Sequence, residues 1–407
     1  MNYGNYPELS CVKKILIIKL RHHGDVLLTS PLFSTLKQHV PHASIDAFLY
    51  KDTLPMLEGH AAIDQFLLYD RSWKKEGFIK RASQELSLLS QIARSSYDLV
   101  INLTEGDRGA IASFISRAKY KVGMEGNRSG FFSEKRRYTH RVKTSPNPRH
   151  TVEKQLDFAR RIGVFPTEEE KELFLHIPQQ AQLSVQARLA QEGIEPHSYV
   201  LIHPASRWKF KCLSVEQMGE VMRLLSLAGL PLVFTSGPDA QEVKMVEEIL
   251  RCNPSIPVLN LAGSLSLKEL AAWIDSAKTV LCVDSLPLHI SSATKTPVVA
   301  LFGPTSEQNW GPWRHPQARI LTRPFSCRPC FQDGCGGSKK SECLLSLSPK
   351  EIASAVTLDL PIAGVDYKYR SEYTCPAQLT HLHAVEPMPD RSRHTRFLGS
   401  VETQERR

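Results

Sequence analysis

Lys14-Ile15-Leu16-Ile17-Ile18-Lys19-Leu20 is the stretch of sequence that decides the fold. It is a β-branched and aliphatic run, too short to be a helix of its own, and it predicts a buried strand. The polar loop Arg21-His22-His23-Gly24-Asp25 follows, and a helical pattern then covers residues 26–40. A strand, a short loop and a helix form the repeating unit of a parallel α/β sheet with right-handed crossovers.

The same alternation continues along the chain and predicts two sheets. In the first half, further strands are expected at 45–50, 65–69 and 98–103, with helices at 76–94 and 109–117. In the second half, the predicted strands are 199–202, 231–236, 258–261, 279–283 and 298–302, and the predicted helices are 215–227, 240–250, 267–276 and 286–293. The predicted fold class is therefore α/β, with two Rossmann-like domains that face each other across a cleft.

Composition divides the chain into four parts. An N-terminal domain is predicted over residues 1–165 and a C-terminal domain over 196–360. A Pro- and Glu-rich linker region, 166–195, joins them. Residues 361–407 lack periodicity and are rich in His, Arg, Pro and Glu, which predicts a disordered tail.

Charge and hydropathy narrow the class of protein. No run of about 18–20 apolar residues, as a membrane span requires, is present, and the N-terminus lacks the pattern of a secretory signal. We therefore expect a cytoplasmic protein. The net charge is +9, and residues 108–149 contain 11 Lys or Arg but only two Glu. This asymmetry favours an anionic partner (a phosphorylated substrate, a lipid surface or nucleic acid) over a solvated basic face.

The loop that ends in Gly24 and Asp25 lies at the carboxyl end of the first strand, where open α/β sheets bind ligands. Gly24 allows a tight turn or the close approach of a substrate. The G-x-G-x-x-G spacing of a dinucleotide fingerprint is absent. Local sequence leaves two equal interpretations of Asp25, as a catalytic group facing the cleft or as a helix N-cap.

Loops of the second half carry groups suited to a nucleotide. Ser206, Arg207 and Lys211 follow the strand at 199–202 and could hold a pyrophosphate, although a solvated basic loop is the alternative. Further on, residues 235–242 end a strand with acidic side chains that could bind a ribose. Asp239 in this turn is also a good N-cap.

Asp284 and Ser285 end the predicted strand 279–283, and Leu286 to His289 begin a helix whose N-terminus would complement the charge of a diphosphate. By itself, His289 is equally consistent with a structural histidine.

Four cysteines form a cluster in the spacing Cys327-x2-Cys330-x4-Cys335-x7-Cys343. Four thiols at this spacing could ligate zinc or a metal cluster, or pair as disulfides. A structural knot of reduced thiols is the alternative.

Taken together, these segments resemble the ADP-heptose–lipopolysaccharide heptosyltransferases over about residues 13–360. The resemblance rests on the segments Gly24-Asp25-Val26-Leu27-Leu28-Thr29-x-Pro31, His203-Pro204-x2-Arg207-x3-Lys211-Cys212 and Val283-Asp284-Ser285-x-Pro287-x-His289. The turn at 334–338 looks most like members that add the third inner-core heptose, onto the second. The resemblance implies the GT-B fold and inverting transfer from ADP-heptose to the inner core of lipopolysaccharide.

The resemblance also implies residue roles. Asp25 matches the general base that acts on the acceptor hydroxyl, Lys211 a lysine on the donor phosphates, and Asp284 an aspartate on the donor sugar. The other donor-binding positions are Ser206, Ser285, Leu286 and His289 at the diphosphate, Glu242 at the ribose and Leu265 near the adenine, with Arg207 as a further cation. Leu213 and Leu286 depart from the residues common in the family, which puts details of the donor pocket in doubt.

The resemblance also implies expectations about cofactor and acceptor. It implies metal-independent transfer, and no D-x-D-type acidic pair stands out in the sequence, so we expect no metal or other cofactor. The inner-core acceptor that the resemblance implies would carry carboxylates and phosphates at the anionic cytoplasmic face of the inner membrane, so we expect peripheral contact there. The predicted acceptor-binding residues are Arg128, Lys135, Arg136 and Arg137.

Rival functions remain open at this point. The chain could add the first or second core heptose, or be a nucleotide-sugar epimerase on the same fold. It could also bind a nucleotide sugar without catalysis. Nucleic-acid binding ranks lowest, because no recognised motif accompanies the basic charge.

Overall fold

The computed structural model describes residues 6–126, 137–143 and 145–358. Its strands, in chain order, are β1 (Lys14–Lys19), β2 (Ser44–Tyr50), β3 (Gln65–Tyr69), β4 (Leu99–Asn102), β5 (Tyr120–Met124), β6 (His140–Val142), β7 (Val200–His203), β8 (Leu232–Phe234), β9 (Leu259–Asn260), β10 (Thr279–Val283), β11 (Val298–Leu301) and β12 (Ala318–Leu321).

The strands form two parallel sheets that repeat one topology. The first has the order β3-β2-β1-β4-β5-β6 and the second the order β12-β11-β10-β7-β8-β9. Both are doubly wound, since the chain starts in the middle, moves to one edge and returns to build the other. The predicted α/β class with two Rossmann-like domains is confirmed.

The helices connect successive strands. In chain order they are α1 (His23–Leu27), α2 (Ser30–His39), α3 (Phe78–Arg94), α4 (Asp107–Ile115), α5 (Thr151–Arg160), α6 (Gln179–Glu192), α7 (Val215–Leu227), α8 (Ala240–Arg251), α9 (Leu267–Asp275), α10 (Leu286–Thr294), α11 (Glu307–Trp310), α12 (Glu342–Leu345) and α13 (Pro349–Val356). Short 3-10 turns add Leu9–Cys11, Lys51–Met56, Arg71–Lys75, Glu169–Lys171, Lys209–Lys211 and Cys335–Gly337.

The single helix predicted over 26–40 is wrong, because two helices, α1 and α2, replace it. The break falls at Thr29, whose hydroxyl donates to the Val26 carbonyl at 2.5 Å. Pro31 lies in the first turn of α2, where its missing N–H costs nothing. In the middle of one long helix, the same proline would clash with the preceding turn.

The linker region predicted over 166–195 contains a helix that the sequence did not indicate. Within it, α6 packs against α9 and buries Ala181, Val185 and Leu189. The preceding stretch is held by hydrogen bonds, among them one of 2.7 Å from the Trp313 indole N–H to the Lys171 carbonyl. The boundaries of the two domains stay a prediction.

One apolar core extends through both halves of the molecule. It includes Ile15 and Ile17 of β1, Leu189 of α6, Trp273 of α9 and Val280 of β10. The alternate residues of β1 pack into a second cluster on the opposite face of the first sheet. β1 is therefore buried on both faces, which explains its continuous apolar run from Ile15 to Ile18.

No helix in the described ranges has the length and apolar character that crossing a bilayer requires.

Ile17→Ala is expected to lower the free energy of unfolding by about 2–5 kcal/mol, because it leaves a cavity in a fully buried strand. Urea unfolding measures the change. Leu183→Ala is the matched control, since Leu183 is 50% exposed on α6, and it should change the free energy by no more than about 0.5 kcal/mol. Equal effects of the two substitutions would contradict this account of the core.

Candidate active site

The loop after β1 places Asp25 in the first turn of α1. The residue that caps this helix is His22, so the interpretation of Asp25 as the N-cap is wrong. Asp25 is partly exposed, and no side-chain hydrogen bond to its carboxylate is found in the described part of the chain. A carboxylate in this position is favoured by the helix dipole and keeps its oxygens available for another partner.

Arg71 holds the loop that carries Asp25 through contacts with residues around it. Its guanidinium donates to the Arg21 carbonyl at 3.3 Å, pairs with Asp52 at 2.9 Å and lies 3.9 Å from the centre of the Tyr50 ring. His23 adds a contact of 3.0 Å between its Nε2 and the Asp52 carbonyl. The position of Asp25 is therefore set by contacts on both sides of the loop.

Lys19 is a buried cation beside Asp25 that sequence reasoning missed. Its side chain ends β1 and is only 6% exposed. Burial lowers the pKa of Lys19 to about 8, against the attraction of Asp25 and Glu105, which raises it. A lysine inside the apolar run of β1 was the available signal, because a strand that is buried on both faces has no solvated side for it.

His289 meets the same loop from the opposite domain. A Cβ atom at Gly24 would lie 2.6 Å from His289 Cδ2, which is closer than real contacts allow. The histidine is 5% exposed, and its Nδ1 has no hydrogen-bond partner among the described residues. Burial lowers the pKa of His289, although Asp284 and Asp25 both raise it. A neutral ring with an unsatisfied nitrogen thus lies near the carboxylates of Asp284 and Asp25.

Lys211 and Asp284 form an ion pair next to His289. Lys211 Nζ lies 2.7 Å from Asp284 Oδ2, and the two side chains are 17% and 5% exposed. The pair arises because β7 and β10 are neighbouring central strands, so their carboxyl-end loops lie side by side. Each charge fixes the position of the other in a site largely closed to water.

Arg207 makes a second contact across the cleft. Its Nη1 lies 3.3 Å from His22 Nδ1. Burial lowers the pKa of His22, and the Arg207 charge lowers it further, so the neutral histidine accepts this hydrogen bond. Ser206, the preceding residue, accepts from the Trp208 N–H at 3.3 Å. The loop after β7 is therefore close to the Asp25 loop.

The start of α10 offers fewer backbone donors than the sequence predicts. Pro287 has no N–H, and the Leu288 N–H donates to the Ser285 carbonyl at 3.2 Å. The Ser285 hydroxyl donates to the Val283 carbonyl, also at 3.2 Å. An anion at this helix start would rely on the Leu286 amide and on neighbouring side chains.

Glu242 and Leu265 lie farther out, in the loops after β8 and β9. Glu242 accepts a 3.0 Å hydrogen bond from the Gly237 N–H, and burial raises the pKa of its carboxyl group. Asp239 is the N-cap of α8, as its alternative interpretation held. Gly263, which begins the turn to Leu265, packs against the turn at Gly237. These loops form a separate area on the β8–β9 side of β7.

Of the four predicted acceptor-binding residues, one lies within the described part of the chain. Arg128, Lys135 and Arg136 lie outside the described residues. Arg137 is described and half-buried, and it precedes Tyr138, whose hydroxyl accepts from the Asn102 amide at 2.7 Å. This places Arg137 close to the carboxyl end of β4, which neighbours β1.

The cysteine cluster contains free thiols. Cys327 and Cys335 are exposed, Cys330 is half-buried and Cys343 is buried. Burial raises the pKa of Cys343, and nearby Cys335 and Cys330 raise it as well. The described ranges contain no group of three or more His, Cys, Asp or Glu side chains arranged for a metal ion. This geometry matches the reduced knot rather than disulfides.

The segment that carries these thiols packs on the loop after β11. Arg328 donates to the Gly303 carbonyl at 2.5 Å and pairs with Glu307 at 2.7 Å. Ser341 donates to the Phe210 carbonyl at 2.8 Å, next to Lys211. The segment thus supports loops of the candidate site.

Comparison with known proteins identifies the family. Residues 86–340, more than half of the chain, match the model of glycosyltransferase family 9 (heptosyltransferase). The chain belongs to this family. Lipopolysaccharide heptosyltransferase 3 of Escherichia coli (strain K12) is 36% identical over 296 residues, which cover 72% of this chain and 83% of the relative. This family 9 chain is therefore a glycosyltransferase, as the sequence predicted.

Two solved structures share the fold of the family 9 chain. A family 9 glycosyl transferase from Veillonella parvula DSM 2008 has a TM-score of 0.72 at 22% identity, covering 86% of this chain and 98% of that one. The E. coli ADP-heptose lps heptosyltransferase II has a TM-score of 0.67 at 18% identity, covering 85% and 98%. They confirm the predicted GT-B arrangement.

Gly24→Ala is expected to lower the kcat/KM of this family 9 enzyme by roughly 10- to 100-fold, because the added methyl group must push α1 away from His289. Steady-state transfer kinetics measure the change. Gly77→Ala is the control, since Gly77 has a φ of −60° and no atom near the position of its missing Cβ. Wild-type kinetics for Gly24→Ala would show that this close approach is unimportant.

Lys19→Met is expected to stabilise the fold at pH 7, because the folded protein buries the Lys19 ammonium. At pH 7 folding buries a charged ammonium, so its removal should raise the free energy of unfolding by about 1–3 kcal/mol. Between pH 8 and 10.5 the unfolded chain holds a proton that the folded chain lacks. Wild-type stability therefore rises with pH there, and the difference between the two proteins shrinks.

Urea unfolding at pH 7 and near pH 9.5 measures this difference. Lys278→Met, at an exposed lysine, is the control and should show no such pH dependence. A difference that stays constant between the two pH values would contradict the burial of a charged Lys19.

Proposed function

We propose that this chain transfers L-glycero-D-manno-heptose from ADP-heptose to the inner core of lipopolysaccharide, with inversion at the anomeric carbon and with Asp25 as general base. The observation that carries the proposal is the contact of Gly24 with His289, which brings Asp25 of one domain to Lys211 and Asp284 of the other. Family 9 membership supplies the reaction class.

The donor site belongs to the second domain in this proposal. Lys211 and Arg207 face the diphosphate together with Ser206, Ser285 and the Leu286 amide. The Nδ1 of His289 has no hydrogen-bond partner among the described residues. A polar group of the donor would supply one. Glu242 and Leu265, on the β8–β9 side, would hold the ribose and the adenine. The choice of donor is supported by the structurally similar E. coli enzyme, an ADP-heptose lps heptosyltransferase II.

The chemistry follows from these positions. As the acceptor oxygen bonds to the anomeric carbon, its proton passes to the Asp25 carboxylate, and the bond from that carbon to the diphosphate breaks. Negative charge then grows on the departing ADP, where Lys211 and Arg207 stabilise it electrostatically. Asp284, held by Lys211, is positioned for the hydroxyls of the donor sugar. In this scheme no step requires a metal ion or other cofactor.

The proposed acceptor is one particular core heptose, which family membership alone does not specify. The relative that is 36% identical is named lipopolysaccharide heptosyltransferase 3, which supports addition of the third heptose, onto the second core heptose. Basic residues of the first domain, Arg137 among them, would contact the carboxylates and phosphates of the core. The enzyme would work in the cytoplasm, peripherally at the inner membrane, without nucleic acid as a partner.

The test of the proposed function is incubation of the full chain with ADP-heptose and core acceptors truncated before the first, second or third heptose. Product masses should show one added heptose on the acceptor that ends in the second heptose. Addition to a shorter acceptor would assign the first or second transfer instead. Conversion of the donor without any acceptor would indicate an epimerase, and the absence of any product would indicate a binding protein.

Asp25→Asn is expected to lower kcat by about 10²–10⁴-fold, because the amide cannot take the acceptor proton. Donor affinity, measured by calorimetric titration with ADP-heptose, should stay near that of the wild type. Glu105→Gln is the matched control, since Glu105 is an exposed acid that also lies close to Lys19, and it should keep near-normal turnover. Near-normal transfer by Asp25→Asn would refute the assignment of the base.

A further inference from the structure

Large apolar side chains are exposed on two neighbouring helices of the first domain. Phe78, Ile79 and Leu86 of α3 are 85%, 84% and 66% exposed, and Ile111 and Phe114 of α4 are 47% and 68% exposed. The two helices contact each other. Together these five residues form the apolar patch.

The apolar patch is not needed to attach its helices to the sheet. Leu88 and Ile92 of α3 and Ala112 of α4 face inward and belong to the core cluster on this side of the first sheet. Both helices therefore lie on the same face, and the apolar patch points away from it. Exposed apolar groups gathered in this way mark an interaction surface rather than a packing surface.

Positive charge lies beside the apolar patch, although Lys80 also pairs with Glu76 at 3.2 Å. Residues 71–81, at the start of α3, contain five Lys or Arg and one Glu, and Arg117 and Lys119 follow α4. Lys74, Lys75 and Lys80 are exposed. Bulky apolar side chains within a lysine-rich rim fit the interface of an anionic bilayer, where the apolar groups enter the headgroup region and the lysines meet lipid phosphates.

Polar contacts hold the two helices in fixed relation. Glu85 of α3 accepts from the Tyr69 hydroxyl at 2.7 Å and from Arg81 at 3.2 Å. Arg108 of α4 donates to the same Tyr69 hydroxyl at 3.1 Å, with its guanidinium 4.0 Å from the ring centre. These contacts fix α3 and α4 relative to each other, and with them the residues of the apolar patch.

The apolar patch begins at the same sheet edge as the candidate active site. α3 and α4 start after the carboxyl ends of β3 and β4, and Asp25 follows the carboxyl end of β1. Arg71, in the turn just before α3, donates to the Arg21 carbonyl of the Asp25 loop. A flat surface in contact with the start of α3 would therefore lie next to the Asp25 side of the cleft.

We propose that the apolar patch and its rim of Lys74, Lys75 and Lys80 dock this enzyme on an anionic lipid bilayer, with the Asp25 loop turned toward the membrane. The purpose of this docking rests on the proposed function, because an acceptor linked to lipid reaches the cleft from the membrane surface. A second copy of the chain fits less well, since a symmetric dimer would bring two lysine-rich rims together.

Flotation of the full chain with vesicles tests the docking. The vesicles contain phosphatidylcholine alone or about seven parts of it to three parts of phosphatidylglycerol. The wild type should bind the anionic vesicles, and the triple variant Phe78→Ser/Ile79→Ser/Phe114→Ser should bind at least roughly tenfold less. Lys74→Glu/Lys75→Glu should lose the preference for anionic vesicles.

The matched control is Leu183→Ser/Leu227→Ser, which removes exposed leucines (50% and 60% exposed) away from the apolar patch. It should float like the wild type. Equal flotation of the triple variant and the wild type overturns the proposal. It is also overturned if the wild type does not bind anionic vesicles, or if it sediments as a dimer that the triple variant abolishes.

Transfer assays separate this inference from the proposed function. With a water-soluble, deacylated core acceptor, the triple variant should turn over like the wild type. With the same acceptor embedded in anionic vesicles, it should be slower by at least about tenfold. If neither protein transfers heptose to either acceptor, the proposed function fails while the flotation result still decides the docking.

Discussion

The close approach of α1 to α10 is the constraint on which the rest of the site depends. Only a hydrogen atom at Gly24 leaves room for the His289 ring. Because all strands of a parallel sheet end at one edge, this contact, together with that of Arg207 with His22, keeps the carboxyl-end loops of the two sheets close to each other. β7 lies beside β10, so the loop that carries Lys211 also lies next to His289.

The charges gathered there balance one another at short range. Lys19 and Asp25 come from the first sheet, Lys211 and Asp284 from the second, and neutral His289 lies near both carboxylates. Each buried ion has an opposite charge nearby, which limits the cost of removing it from water. In the proposed function, a diphosphate donor would bring negative charge toward the exposed guanidinium of Arg207 and the partly exposed Lys211. The charge of such a donor would therefore balance the two cations of the second domain.

The sequence predicted those strands whose burial produces a run of apolar residues, and it missed strands without such a run. β10 was predicted with its observed bounds, since a central strand that is buried along its whole length carries a continuous apolar run. β3 was also predicted with its observed bounds, although it is an edge strand, because Phe66, Leu67 and Leu68 form a short apolar run. β6 and β12 are at sheet edges and only partly buried, so their sequences show no such run. Whether Asp25 caps a helix depends on backbone angles that local sequence leaves open. Contacts such as Gly24 with His289 join residues far apart in the chain, and no local pattern records them.

The apolar core that joins the two sheets has a consequence for how such enzymes evolve. Trp273, Leu189 and Ile17 share one interior although they come from different halves of the chain. Each half also has an apolar cluster of its own, but the shared core means that each half packs part of its interior against the other. If one half were exchanged for that of a relative, the new half would have to bring a matching set of buried side chains. In the proposed function, a change of the donor-binding half would therefore also disturb the packing of the acceptor-binding half.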